Sequence, residues 1–224
     1  MKLLLVVPNE AVVHGLVAHF NSEFTPNSEH KFLLHAKWLH HEVDVIVALG
    51  FSTSLTYQLT KALGRQKYHL ALKISLAAAY SATTVADTIL NIVNEKPADV
   101  GEQTIDGWQD VYDLNWLNRE DAPHVRGGFV NMTNAYMNVF MPFKKVVGLT
   151  VNHQADTSLV VYRKERYKAE VETADGLAFV YACLAEQQTY YHLAVVNRNL
   201  TDEVNQNNTE SVVLHLLNDL IQIL

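Results

Sequence analysis

Strand-length runs of unbroken apolar residues, each followed by a helical stripe, constrain this chain more than any other feature. Leu3-Leu4-Leu5-Val6-Val7 carries apolar side chains in both alternations, so a strand made of it has two buried faces, as in a parallel sheet covered on both sides. Val13, Leu16, Val17 and Phe20 then recur at helical spacing and form one stripe. Residues 43–49 read as a second buried strand closed by Gly50. A second helix follows on the stripe Leu55, Leu59, Ala62 and Leu63, with Ser52, Thr53 or Ser54 as its cap and Gly64 as its stop. Strand-length runs return at residues 69–76, 88–93, 146–151 and 190–196. Ala174, Leu177, Ala178, Tyr181 and Ala185 form one further stripe, and Val213, Leu216, Leu217, Leu220 and Leu224 another. The alternation predicts an α/β fold in three layers, a central mixed β-sheet flanked by helices.

The length of 224 residues fits one domain, 1–224, able to bury about 70% of the surface of its unfolded chain. With 49% hydrophobic and 18% charged residues there is no composition for a long disordered tail. The net charge of −7, without a Lys/Arg cluster, argues against a nucleic-acid partner. Cys183 is the only cysteine, so no intramolecular disulfide forms, and a reducing cytoplasm is the expected setting. The apolar run after Met1-Lys2 stops at Pro8, too short for an export signal, and no stretch approaches the about 18 apolar residues of a membrane span. Residues 94–144 are irregular and rich in Gly, Asp, Asn and Trp, the composition of a long excursion that is often functional. His35, His40 and His41 with Glu42 and Asp44 match no standard zinc spacing, so no metal and no cofactor is expected.

Several segments together resemble the nucleoside phosphorylase and nucleosidase superfamily, and within it the futalosine hydrolase branch. Residues 1–10, MKLLLVVPNE, are similar to the family's first strand and its acidic turn into a helix. Residues 43–63 are similar to its second strand and helix, and 86–101, ADTILNIVNEKPADVG, to the strand and "A-D-L-G" turn of the futalosine branch. Residues 147–152 with 165–179 resemble the family's strand, helix and "V-E-S-M-E-G-A-A-F" block, here VETADGLAF. The resemblance is weakest over 102–144. It implies a phosphorylase/hydrolase-like fold with a mixed sheet partly closed into a barrel. It also implies cleavage of a purine nucleoside's N-glycosidic bond by water, for this branch futalosine to hypoxanthine in a route to menaquinone, and a homo-oligomer.

Such a reaction needs a base for water, a proton donor for the leaving purine, and groups that hold the ribose as positive charge develops on it. The resemblance places the water-activating carboxylate at Val12, which cannot accept a proton. Glu10 is the carboxylate at hand, but two helix positions turn it about 200° round the axis, and favourable charge at a helix N-terminus also accounts for it. The ribose-binding acid falls at Asp175, with Glu172 as its neighbour. Asn152, His153 and Ala77 correspond to pocket positions, and the base contact is Asn197 or Arg198, depending on register. Because side chains alternate along a strand, the two registers differ in which residue faces the pocket. Residues 75–78, SLAA, stand where the family has a glycine-rich loop, and the family's strand arginine is Leu193 or Ala194, so phosphorolysis is disfavoured. A second class is a homologue that binds without cleaving, with Arg198 receiving an anionic ligand.

Overall fold

The computed structural model describes residues 1–20, 24–26, 32–48, 51–105, 107–123, 125–152, 157–200 and 209–224. Along the chain run β1 (Lys2–Val7), α1 (Glu10–Phe20), β2 (Thr25–Pro26), β3 (Leu33–Trp38), β4 (His41–Val47), α2 (Ser52–Arg65), β5 (Leu70–Ala79) and β6 (Ile89–Pro97). There follow β7 (Gly101–Thr104), β8 (Gly107–Asp110), β9 (Phe129–Val130), α3 (Met137–Phe140), β10 (Lys144–Thr150), α4 (Thr157–Tyr167), β11 (Val171–Thr173), α5 (Gly176–Ala185), β12 (Tyr190–Asn199) and α6 (Thr209–Ile223).

The apolar alternation of β1 is used on both sides, as its sequence demands. Leu3, Leu5 and Val7 pack with Val12, Val13 and Leu16 of α1 and with Val213 and Leu217 of α6. Leu4 and Val6 pack with Leu55 and Leu59 of α2 and with Ala178, Phe179 and Cys183 of α5. Between these helical layers lies a ten-stranded mixed sheet in the order β11-β10-β6-β12-β5-β1-β4-β3-β2, with β9 against β6. β1 is parallel to both β4 and β5. β11 closes a ring: it runs parallel to β10 and also pairs antiparallel with β5, Glu172 opposite Ala78. Small side chains fill the resulting partial barrel, Ala77, Ala79 and Ala194 beside Val171, Val196 and Ile92. The three-layer α/β expectation and the barrel are both present.

Local expectations fare less evenly. Phe51, extended, occupies the N-cap of α2 without a side-chain cap, and Ser52 is the first helical residue. The Ser52 hydroxyl donates instead to Ala174 O at 3.1 Å, tying α2 to the approach of α5. Gly64 does not stop α2, which continues to Arg65 and leaves through an extended Gln66 instead of a left-handed glycine. Leu49 and Gly50 lie outside the described residues. Ala174 precedes α5, and Tyr181 is 46% exposed, its ring edge-on to Phe129 at 5.9 Å, so neither belongs to the buried stripe. Residues 94–144 contain the β7–β8 hairpin, β9 and α3, and β5, β6 and β12 all run two or more residues past their expected ends.

Candidate functional site

The overrun of β12 builds the site. β12 and β5 march in step from Tyr190 opposite Ala71 to Val196 opposite Ala77, but the next pair is Arg198 opposite Ala78. Asn197 is thus an extra residue, a bulge that re-aims the strand where it emerges from the sheet. Both candidates therefore reach the same cavity, about 270 Å³, whose walls include Leu76 and Ala78 of β5, Glu172 and Thr173 of β11, and Asn152. The register question is answered by neither alternative alone. Among the described residues, neither the Asn197 nor the Arg198 side chain makes a hydrogen bond or an ion pair.

Glu172 reaches this cavity from a buried cluster. Tyr80 OH donates to its Oε2 at 2.5 Å, and Arg163 Nη1 stands 3.8 Å away, with the Arg163 and Glu172 side chains both 3% exposed or less. Burial and the adjacent Glu172 charge push the Tyr80 hydroxyl well above its ordinary range, so it remains a donor.

A second cavity of about 150 Å³ adjoins the first, sharing Leu76 and Ala174 as walls, and is lined by Lys73, Ser75 and Asp175. Asp175 stands at the head of α5 but caps no backbone N–H. Its Oδ1 is 2.9 Å from Lys73 Nζ, with the two side chains 8% and 1% exposed. The first amides of α5 find other acceptors: Gly176 N–H donates to Thr173 Oγ1 at 3.2 Å and Leu177 N–H to Thr150 Oγ1 at 2.6 Å. Thr150 in turn donates to the fully buried Glu95 at 2.7 Å. Glu95 Oε2 lies 3.3 Å from Nδ1 of the fully buried His192, whose Nε2 is 2.8 Å from Ser75 Oγ. Gly176 is required here, since a Cβ would stand 2.7 Å from each of Glu95 Oε1, His192 Cε1 and Thr173 Oγ1.

Of the residues singled out from the sequence, Asn152, Glu172, Asn197 and Arg198 meet at the larger cavity and Asp175 at its neighbour. Asn152 N–H donates to the Asp99 carboxylate, which fixes the turn after β10. Ala77 faces the barrel interior instead. Glu10 is exposed in the first turn of α1 and lines neither cavity; the cap is Asn9, whose Oδ1 accepts from Val12 N–H at 3.0 Å. Val12 itself is fully buried between α1 and the sheet. His153 lies outside the described residues. Sequence reasoning missed Lys73, Ser75, His192 and Glu95. The signal was present: Lys73 and Ser75 are same-parity polar positions inside an otherwise apolar strand.

No protein-family model and no curated protein sequence matches the chain. Solved structures of nucleosidases and of futalosine hydrolase share its fold. Over all of both chains, the 5′-methylthioadenosine/S-adenosyl homocysteine nucleosidase of Campylobacter jejuni aligns with a TM-score of 0.82 at 12% identity. A Helicobacter pylori nucleosidase mutant with 5′-methylthioadenosine in its active site gives 0.81 at 11%, over all of this chain and 99% of that one. Native futalosine hydrolase of Helicobacter pylori gives 0.77 at 14%, over all of this chain and 98% of that one. At such identities the likeness is one of fold.

Proposed function

We propose that the paired cavities bind a purine nucleoside of the futalosine type and that the protein hydrolyses its N-glycosidic bond slowly. The observation that carries this reading is the β12 bulge, which brings Asn197 and Arg198, unengaged among the described residues, to one wall while the Lys73–Asp175 pair stands in the adjoining cavity. Asp175 accepts from a ribose hydroxyl, Lys73 donates to its neighbour, and Asn197 and Arg198 face the base. The shortfall is the base for water. With Val12 in the core, loss of a positioned carboxylate lowers the rate by about 10²- to 10⁴-fold. Purified protein incubated with futalosine is expected to release hypoxanthine slowly, and Asp175→Asn to reduce that release further. No release above background at high enzyme concentration overturns the hydrolytic reading.

A second reading, binding without cleavage, is favoured by one observation: the carboxylates of both cavities already face a cation, Asp175 with Lys73 and Glu172 with Arg163. Calorimetry against nucleosides, free purines and carboxylate-bearing analogues separates the two readings. Saturable binding with no release supports the second. The homo-oligomer is carried as part of the proposal and is read by sedimentation. Among the described residues no helix is long and apolar enough to cross a membrane.

A further inference from the structure

The chain Ser75–His192–Glu95–Thr150 crosses four strands and ends at the first turn of α5. His192, Glu95 and Thr150 are buried, and His192 Nδ1 and Glu95 Oε2 face each other at 3.3 Å as an ion-pair contact, without the geometry of a hydrogen bond. A bare ring nitrogen facing a carboxylate oxygen at 3.3 Å would be two lone pairs in repulsion, so Nδ1 carries the proton. That tautomer leaves Nε2 as an acceptor, and the Ser75 hydroxyl at 2.8 Å is its donor. Ser75 borders the cavity that holds Lys73 and Asp175, while Thr150 at the far end borders a separate cavity beside α2 and α5. A hydroxyl backed by an imidazole, itself oriented by a carboxylate, is the arrangement that activates an oxygen nucleophile or passes a proton from one.

We propose that Ser75 is an activated hydroxyl, with His192 and Glu95 as its positioning residues, and that it supplies the proton acceptor that position 12 lacks. The activation stands on the geometry alone; its use in hydrolysis rests on the nucleoside reading above. In that use, the water oxygen bonds to the anomeric carbon as the bond from that carbon to the purine nitrogen breaks, its electron pair leaving with the purine. The water's proton passes to Ser75 Oγ while the Ser75 proton passes to His192 Nε2. The imidazolium then returns a proton through Ser75 and the cavity to the departing purine, so that water has been divided between sugar and base.

The test is labelling with methanesulfonyl fluoride, a probe small enough for a cavity of about 150 Å³. Ser75 Oγ bonds to sulfur, fluoride leaves and His192 takes the proton; peptide mass spectrometry locates the adduct. Labelling at Ser75 is expected, slowed about 10²-fold in His192→Gln and slowed also in the milder Glu95→Gln. Absence of a Ser75 adduct in the unaltered protein, or labelling at an equal rate in His192→Gln and Glu95→Gln, overturns the proposal. A Ser75 adduct without hypoxanthine release sustains the activated hydroxyl and overturns only the hydrolytic reading. Release that is unchanged in Ser75→Ala overturns the relay as the base.

Discussion

Lys73 and Asp175 are a buried ion pair at the mouth of a cleft, and that fixes what either substitution does. Taking away one partner strands the other charge in a site with 8% exposure or less, at a loss of about 3–5 kcal/mol. Lys73→Met is therefore expected to lower the free energy of unfolding in urea by that amount, and Lys73→Met/Asp175→Leu to regain most of it. A single-variant loss below about 1 kcal/mol would place the pair in the surface class instead. Arg198 behaves differently because it makes no ion pair among the described residues. Arg198→Ala should leave stability nearly unchanged but weaken a carboxylate-bearing nucleoside by about 10-fold or more, the worth of one charge-assisted hydrogen bond at about 1.5–3 kcal/mol. Calorimetry of that ligand against adenosine checks it. Asp175 and Arg198 were both legible in the sequence as acid and base-facing candidates. The cation that holds Asp175 was not, because Lys73 lies about a hundred positions earlier and only the closure of β11 onto β5 brings them together.

The first helix shows why a resemblance of motifs does not carry its chemistry along. Asn9 caps α1 and its Nδ2 also donates to Glu210 Oε1 at 3.1 Å, joining the starts of α1 and α6. Asn9→Ala should lower stability by about 1 kcal/mol, seen as a fall in melting temperature. Position 12 points into the packed layer between α1, α6 and the sheet. Val12→Glu is thus expected to destabilise by several kcal/mol, through an unpaired buried carboxylate, and to give no gain in hydrolysis. Faster hypoxanthine release from a folded Val12→Glu protein would show that this helix turns in solution. The stripe of α1 was readable from its spacing. The bulge in β12 was not, since a one-residue slip leaves no mark in composition and appears only when β5 supplies the ruler.

Across the whole molecule, the six apolar runs found their places in one sheet because each carried enough hydrophobic residues to be buried without help from its neighbours. β2 and the three-residue β11 escaped notice because strands so short borrow their stability from a partner already in place, and β3 because His35 and Lys37 interrupt its apolar residues. The excursion from β7 onward is fastened to α4 by charge: Arg166 Nη2 lies 2.5 Å from Asp113 Oδ2, and Arg119 Nη2 3.0 Å from Asp113 Oδ1. Burial opposes ionisation of Asp113, but the Asp110 backbone N–H and the two guanidinium groups outweigh it and hold the carboxyl below its usual value. A depressed folded value means that the stabilisation is fully present above about pH 4 and is lost as pH falls through the folded value. The stability difference between the unaltered protein and Arg166→Gln should accordingly be largest near neutrality and shrink on acidification, in urea titrations at stepped pH. A difference that grows towards acid would contradict the assignment. The bulge has one more consequence. Where two adjacent side chains reach a cleft only because a strand holds one residue too many, recognition depends on spacing as much as on side-chain identity. Deleting one residue at the strand's end is therefore expected to withdraw both side chains from the cavity at once, an effect that no single substitution reproduces.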